Sequence, residues 1–327
     1  MSRRAMRRFN LVVGTIIAAA AGGQGHAQEY PDKPIRIIVP FAPGGGAHIT
    51  ARIVSQKLIE SWGQQVLIDS RPGASTNIGA MIVVKAARDG YTLLLATPAQ
   101  TINPGLFRDK LPYNPASDFA PVALLGMSTM VLVVHPSVPA KSVKELIVLA
   151  RSKPGQLNNS SSGSGSAGHL AGELFKTRAG IDIVHIPYKG AAPSVTALVA
   201  GEVSFSITSA LSVMPFVKSG RSRALAVTSA QRSVALPELP TVAESGLPGF
   251  EVMNWLGVLS PADTPRAVVD KLNAELARIV MLPDVRAKFS EQGVEPYTFT
   301  PSQFAAFIKS EIAKWTTVVR DSGAQAD

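Results

Sequence analysis

The sequence predicts an α/β protein in which strand, loop and helix repeat and two extended crossings split the chain into an outer pair of segments and a middle lobe. Three observations predict it. Short runs rich in β-branched residues alternate with stripes of helical spacing. Loops of small residues stand between strand and helix at APGGGA and SSSGSGS. Two long apolar runs, PVALLGMSTMVLVVHP and VMNWLGVLSP, are too extended for a helix stripe and suit segments that pass between lobes.

The chain opens on MSRRAMRRFN, basic and without acids, followed by the apolar run Leu11 to Gly23 and small residues at Gly25 and Ala27. This is the three-part pattern of a secretory signal at 1–27, cut near Ala27, and the run is shorter than the roughly 20 apolar residues a membrane span needs. Its removal takes away four arginines, so the formal net charge falls from +9 to +5. Lys57, Lys85, Arg151 and Lys218 are scattered and aromatics are only 6% of the chain, which argues against a nucleic-acid surface. With no cysteine, disulfides, thiolate nucleophiles and lipid attachment at cysteine are excluded. The expected product is a soluble periplasmic protein.

The first element is a buried strand over Ile35–Val39, ended by Pro40. The loop Phe41 to Gly46 follows, and then a helix carries Val54, Leu58 and Trp62 to a stop at Gly63. Such a loop leaves backbone N–H groups free at a helix N-terminus, where the helix dipole adds positive charge, so it is a seat for an anion. Val66 to Asp69 is a second strand with RPGASTNIG as its loop, and Thr92 to Leu95 a third, followed by the loop TPAQTINP. Successive units of this kind predict a parallel sheet with its loops, and any ligand, at the carboxyl edge.

Beyond the first crossing, Lys141 to Ser152 reads as a helix. The serine and glycine tract ahead of Leu170, Leu174 and Phe175 reads as a second binding loop, the alternative being a flexible linker. Further strands are expected at Ile181 to Ile186, VSFSIT and Ala224 to Thr228, with a helix over Ser194 to Val199. After the second crossing the chain is helical. Pro265 opens one helix, and Thr300 to Gln303 forms a capping box for the last, which runs to Gly323.

Of His48, His135, His169 and His185, only His48 stands beside the triple glycine, as a donor to a ligand; His135 and His185 read as structural, and His169 as a cap or a ligand contact. Metal-ligand spacing is missing, and the loop PGGGA fits neither GxGxxG nor GxxxxGK[ST], so no metal and no cofactor are expected. GSGSAGH borrows the vocabulary of a serine nucleophile without a distinguished serine; a small-ester hydrolase using Ser164 or Ser166 with His169 stays open as the alternative.

YPDKPIRIIVPFAPGGGAHITARIVSQKL, SRPGASTNIGA, ARDGYTLLLAT, HLAGELFK, IPYKGAAP and RALAVTSAQRSVALPELPTVAESGLPGFEVMNWLGVLSPADTP together resemble the Bug (TctC-like) family, solute receptors of tripartite tricarboxylate transporters. The resemblance implies a two-lobed type II periplasmic binding fold with two mixed sheets flanked by helices. Lobe I would take 28–124 and 251–327, and lobe II 125–250. It implies a monomer that closes on a small carboxylate and delivers it to the transporter membrane subunits; a sensor subunit that presents ligand is a further possibility. Carried over by position, the ligand would be lined by Phe41, Gly44, Gly45, Gly46 and His48, by Thr97, Gln100 and Thr101, and by Ser161, Gly163, Ser164, Gly165 and Ser166, with Tyr188 and Thr208. The family usually has aspartates where His48 and Thr208 stand. Their replacement points to a carboxylate that is not an amino acid.

Overall fold

The computed structural model describes residues 30–325. The expected signal at 1–27 lies outside them, and among the described residues no helix is long and apolar enough to cross a membrane.

β1 (Ile35–Val39) forms on the β-branched run, with four of five side chains buried. α1 (Gly46–Trp62) turns Thr50, Val54 and Leu58 inward and ends where Gly63 takes the left-handed conformation, φ 69°. β2 (Val66–Ser70) and β3 (Thr92–Ala96) lie on either side of β1 and parallel to it. α2 (Asn77–Val84) and α3 (Ala99–Phe107) follow those strands. The sequence reading makes TPAQTINP the loop after the third strand; most of it is α3, with Pro104 inside the helix.

β4 (Phe119–Val134) is the first crossing. The middle of the chain then gives α4 (Val143–Ser152), capped by Ser142, β5 (Asn158–Ser161) and α5 (Ala167–Ala179). The strand expected from Ile181 starts later, as β6 (Val184–Pro187), because the Ile181 N–H still closes the end of α5 on the Lys176 carbonyl. α6 (Ala191–Ala200), β7 (Phe205–Ser209), α7 (Ala210–Lys218) and β8 (Arg223–Val227) complete the lobe. The return crossing is β9 (Met253–Pro261), followed by α8 (Arg266–Val280), α9 (Pro283–Glu291), the short β10 (Glu295–Pro296) and α10 (Pro301–Ser322).

The strands follow the order β2-β1-β3-β9-β4-β7-β5-β6, with β8 and β10 also on β4. β4 belongs to two sheets. Its residues Phe119 to Thr129 pair with β9, and Met130 to Val134 pair with β7 and β8. The change of partner falls a few residues beyond the boundary expected at 124/125. Since β4 is antiparallel to β9 and β9 to β3, β4 runs the way β3 runs and leaves the first lobe at the carboxyl edge. It enters the second beside Ser209, the last residue of β7, to which β5 is parallel, as β6 is to β5. The carboxyl edges of both sheets therefore face each other across the crossing.

Thr228, fully buried, fastens the two crossings together. Its Oγ1 donates to the Val252 carbonyl at 2.6 Å and accepts the Met130 N–H at 3.2 Å. α10 belongs to both lobes. Phe304 and Ile308 pack with Trp255 and Ile38 in the first-lobe core, whereas Trp315, Val318 and Val319 pack with Phe175 and Leu132 in the second. The expected allotment of 251–327 wholly to lobe I therefore needs correcting at the end of this helix. The capping box at its start is present, with Thr300 and Gln303 each taking the other's backbone N–H.

Candidate functional site

α1 begins at the carboxyl edge of β1 with Gly45 as its N-cap, in extended conformation (φ −77°, ψ 167°), without a side-chain cap and without an acid in the first turn. The first amide with a helical acceptor is that of Ile49, bonded to the Gly45 carbonyl. The N–H groups of Gly46, Ala47 and His48 stand ahead of it with no carbonyl of the helix to meet. Around them there is room, since a Cβ built on Gly44, Gly45 or Gly46 meets nothing within 4 Å, and Gly44 holds φ 90°. Phe41, half-buried, packs against the first-lobe core beside this end, and His48 is half-buried one turn along.

The loop after β2 is strained. Ala74, Ser75 and Thr76 hold φ of 46°, 50° and 77°, a left-handed run that side chains with a Cβ rarely adopt. α3 keeps it in place. Gln100 Nε2 donates to Thr76 Oγ1 at 2.9 Å while its Oε1 takes the Thr97 N–H at 2.7 Å, and Asn103 Nδ2 donates to the Ser75 carbonyl and Asn77 Oδ1, both at 2.8 Å. Tyr113 donates to Asn77 Oδ1 at 3.0 Å, and burial pushes its hydroxyl up to about 12, so it stays a donor throughout the ordinary pH range. The sequence reading puts Gln100 and Thr101 among the lining residues. In the structure Gln100 is buried with both ends of its amide engaged, and Thr101, fully buried, bonds the Pro98 carbonyl. Their place is behind the loop, holding its shape.

In the second lobe Ser166 caps α5, its Oγ accepting the His169 N–H at 3.3 Å. The loop before it is bonded inward. Gly163 N–H donates to Ser161 Oγ and Gly165 N–H to His169 Nδ1, both at 3.1 Å. Ser161 Oγ also lies 2.7 Å from His185 Nε2. Gly163 and Gly165 are thus needed for their left-handed φ, 129° and 79°, and their amides point into the loop instead of offering themselves to a guest. The amides left without an acceptor in the first turn of α5 are those of Ala167 and Gly168. Tyr188 and Gly190 bond their N–H groups to the Ser161 and Ser162 carbonyls, which ties the β6 loop to this one. Thr208 is buried opposite Val131, next to the carboxyl end of β7.

The two edges meet. A Cβ on Gly165 would stand 3.3 Å from Leu106 Cδ1, 3.7 Å from Asn103 Oδ1 and 3.9 Å from Ser75 Cβ, all of the first lobe. At another point Gly293 approaches Leu211, at the start of α7, within 3.6 Å by the same measure. Asn103 Oδ1 is buried there without a hydrogen-bond partner. Sequence reasoning missed Ser75 and Asn103. The strand-end position of RPGASTNIG was a usable signal, but Asn103 was hidden by reading α3 as a loop.

The charge of the edge is one-sided. The stretches 41–48, 71–77, 97–101, 161–166, 188–190 and 208–212 contain no Asp or Glu; Lys189 and Arg71 are cationic there, Arg71 being paired at 2.9 Å with Asp69 near the end of β2. Among the described residues no group of three or more His, Cys, Asp or Glu could hold a metal ion.

Comparison with known proteins finds relatives of the same fold. The UPF0065 protein in the tcbD-tcbE intergenic region of Pseudomonas sp. (strain P51) is 40% identical over 291 residues, covering 89% of this chain and 86% of that protein. Protein BugT of Bordetella pertussis is 37% identical, covering 98% and 99%. Among solved structures, an R. palustris protein with adipate superposes with TM-score 0.82 at 37% identity, covering 91% of this chain and all of that one. A Rhodopseudomonas palustris protein with bound malate gives 0.78 at 31%, covering 89% of this chain and all of that one. The family profile of the tripartite tricarboxylate transporter family receptors, TctC, matches residues 50–324, and the chain belongs to that family of solute receptors.

Proposed function

We propose that the protein is a periplasmic receptor, acting as a monomer, that closes its two lobes on a small carboxylate and hands it to the membrane subunits of a tripartite tricarboxylate transporter. The observation that carries this reading is the pairing of two helix N-termini on facing edges, with no acid in the loop that leads into either helix. Amides at the starts of α1 and α5 offer directed donors to carboxylate oxygens, and the helix dipoles reinforce them. That relatives with the same architecture were solved with adipate and with malate supports a carboxylate as the guest. Thr228 at the crossing is the natural pivot, since it bonds to both connecting strands.

His48 and Thr208 refine the ligand class. With neither position acidic, the site has no carboxylate to pair with a ligand ammonium, so the guest is a dicarboxylate or a hydroxy acid in preference to aspartate or glutamate. Calorimetry against adipate, malate, citrate, aspartate and glutamate tests this. The expected result is saturable one-to-one binding of at least one of the first three. Binding of an amino acid with no response to those three would sink it. The hydrolase alternative gains no support from Ser166, whose hydroxyl faces the His169 backbone N–H as a helix cap, while the His169 Nδ1 faces the Gly165 amide.

A further inference from the structure

We infer that His169 is a positioning residue for the second anion seat: its neutral imidazole, stacked on His185, holds Gly165 in the turn that aims the Ala167 and Gly168 amides at the cleft. The inference rests on the carboxylate-receptor reading for what the seat binds; the loop geometry carries the rest.

Gly165 turns at φ 79° and its N–H meets His169 Nδ1 at 3.1 Å. An amide can only donate, so Nδ1 must accept, which requires the neutral ring with its proton on Nε2. The ring is 3% exposed and lies nearly flat on that of His185, with centroids 4.0 Å apart and planes 15° apart. His185 Nε2 is 2.7 Å from Ser161 Oγ, the atom that receives the Gly163 N–H. The two amides that bend this loop are therefore anchored on the two members of one stacked pair, Gly165 directly and Gly163 through Ser161. Around the glycine loop of the first lobe, by contrast, added Cβ atoms meet nothing within 4 Å.

Protonation of His169 places a hydrogen on Nδ1, and donor then faces donor across the bond to Gly165. The turn loses its anchor. Stacking also disfavours charge on both rings at once, because like charges so close repel. A cation beneath the loop would attract an anionic guest, but that attraction has no direction. The misaimed amides cost the directed bonds, so acid is expected to weaken binding. α5 packs against β5, β6, β7 and α10. β5 and β7 carry no ionisable side chain, and β6 carries only His185. α5 itself carries Glu173, one turn on, with Lys176 and Arg178, and α10 carries Lys309, Glu311, Lys314, Arg320 and Asp321. α3, which meets Gly165 from across the cleft, carries none.

The test uses three forms of the full chain, wild type, His169→Asn and His169→Ala, with adipate as the probe at pH 8 and pH 6. Asn places Oδ1 where Nδ1 stands and cannot be protonated. The wild type is expected to bind several-fold more weakly at pH 6, His169→Asn to match the wild type at pH 8 and to show at pH 6 only the change that adipate's own ionisation brings, and His169→Ala to lose about tenfold relative to His169→Asn at both, the loss expected for one missing hydrogen bond. The ionisation of adipate is common to all three and cancels in the ratios. Equal pH dependence in wild type and His169→Asn, or full affinity in His169→Ala, would overturn the inference. A ligand-free arm separates it from the carboxylate reading. In ¹⁵N-histidine spectra at pH 8, His169 should be protonated at Nε2 with Nδ1 accepting; a proton on Nδ1 overturns the inference whatever the protein binds, whereas an expected spectrum without adipate binding would count against the choice of guest alone.

Discussion

α1 and α5 both start at the carboxyl edge of a parallel strand, and they start differently. α1 begins on Gly45, with no cap, no acid and open space around its first turn, whereas α5 begins on Ser166, whose hydroxyl takes back the His169 amide. An isolated helix end favours a cap, worth about 1 kcal/mol. Leaving α1 without one keeps its amides for a guest. The second seat has fewer amides to offer and holds them in a loop braced by Ser161, His169 and His185. One seat supplies unclaimed donors and the other supplies fixed geometry, a division that suits a cleft whose ligand is bound by both lobes.

The most forceful way to break this comparison is to give α1 the cap it lacks. Gly45 has φ −77°, which any residue adopts, and a Cβ there meets nothing. In Gly45→Asp the new carboxylate would accept the amides of the first turn and neutralise the dipole end. We expect the melting temperature to rise and carboxylate affinity to fall by about a hundredfold or more, since an internal anion both occupies the donors and repels the guest. Thermal melts with calorimetry check both. A higher melting temperature with unchanged affinity would mean that the start of α1 is not the seat.

A matched pair of prolines sharpens the comparison further. Proline is well accepted at the first position of a helix and removes only the N–H. Gly46→Pro and Ala167→Pro each follow a residue with extended ψ, 167° at Gly45 and 159° at Ser166, as proline requires. If both lobes grip the ligand, each variant should lose about tenfold in affinity, the value of a hydrogen bond to a charged group, with little change in melting temperature. Loss in only one would assign the carboxylate to that lobe alone.

How much of this was legible in the sequence depends on the kind of signal. Strands such as Ile35–Val39, stops such as Gly63 and the capping box of α10 follow from local chemistry, and their residues name themselves. α3 was not legible, because Pro104 inside a helix is tolerated only through packing: Gly105 lies so close to α10 that a Cβ would come within 3.2 Å of the Thr316 Cα. That packing joins residues more than two hundred positions apart. The lining also divides on this line. Glycines at 44–46 could be read as an anion loop, but whether an amide points outward, as at Gly46, or inward, as at Gly165, depends on partners such as His169 that only the folded loop brings within reach.

The smallest expected effect concerns Glu173, buried on α5 against α10. Burial pushes its carboxyl above the ordinary range, with Lys176 and the Ser322 hydroxyl acting the other way. A carboxyl whose folded pKa is raised contributes stability that is present below the unfolded pKa and lost as pH rises through the folded one. Above that folded pKa the wild type carries a buried charge that works against folding. Glu173→Gln removes the charge and keeps a partner for Ser322, so its melting temperature should exceed that of the wild type at pH 8, and the difference should shrink towards pH 4. The same variant separates two sources of acid sensitivity in the second seat. If His169 titrates the loop, Glu173→Gln keeps the weaker adipate binding at pH 6; if that dependence vanishes, the titrating group is the carboxylate one turn along the helix, and the contrast between an open seat and an imidazole-braced one has to be redrawn.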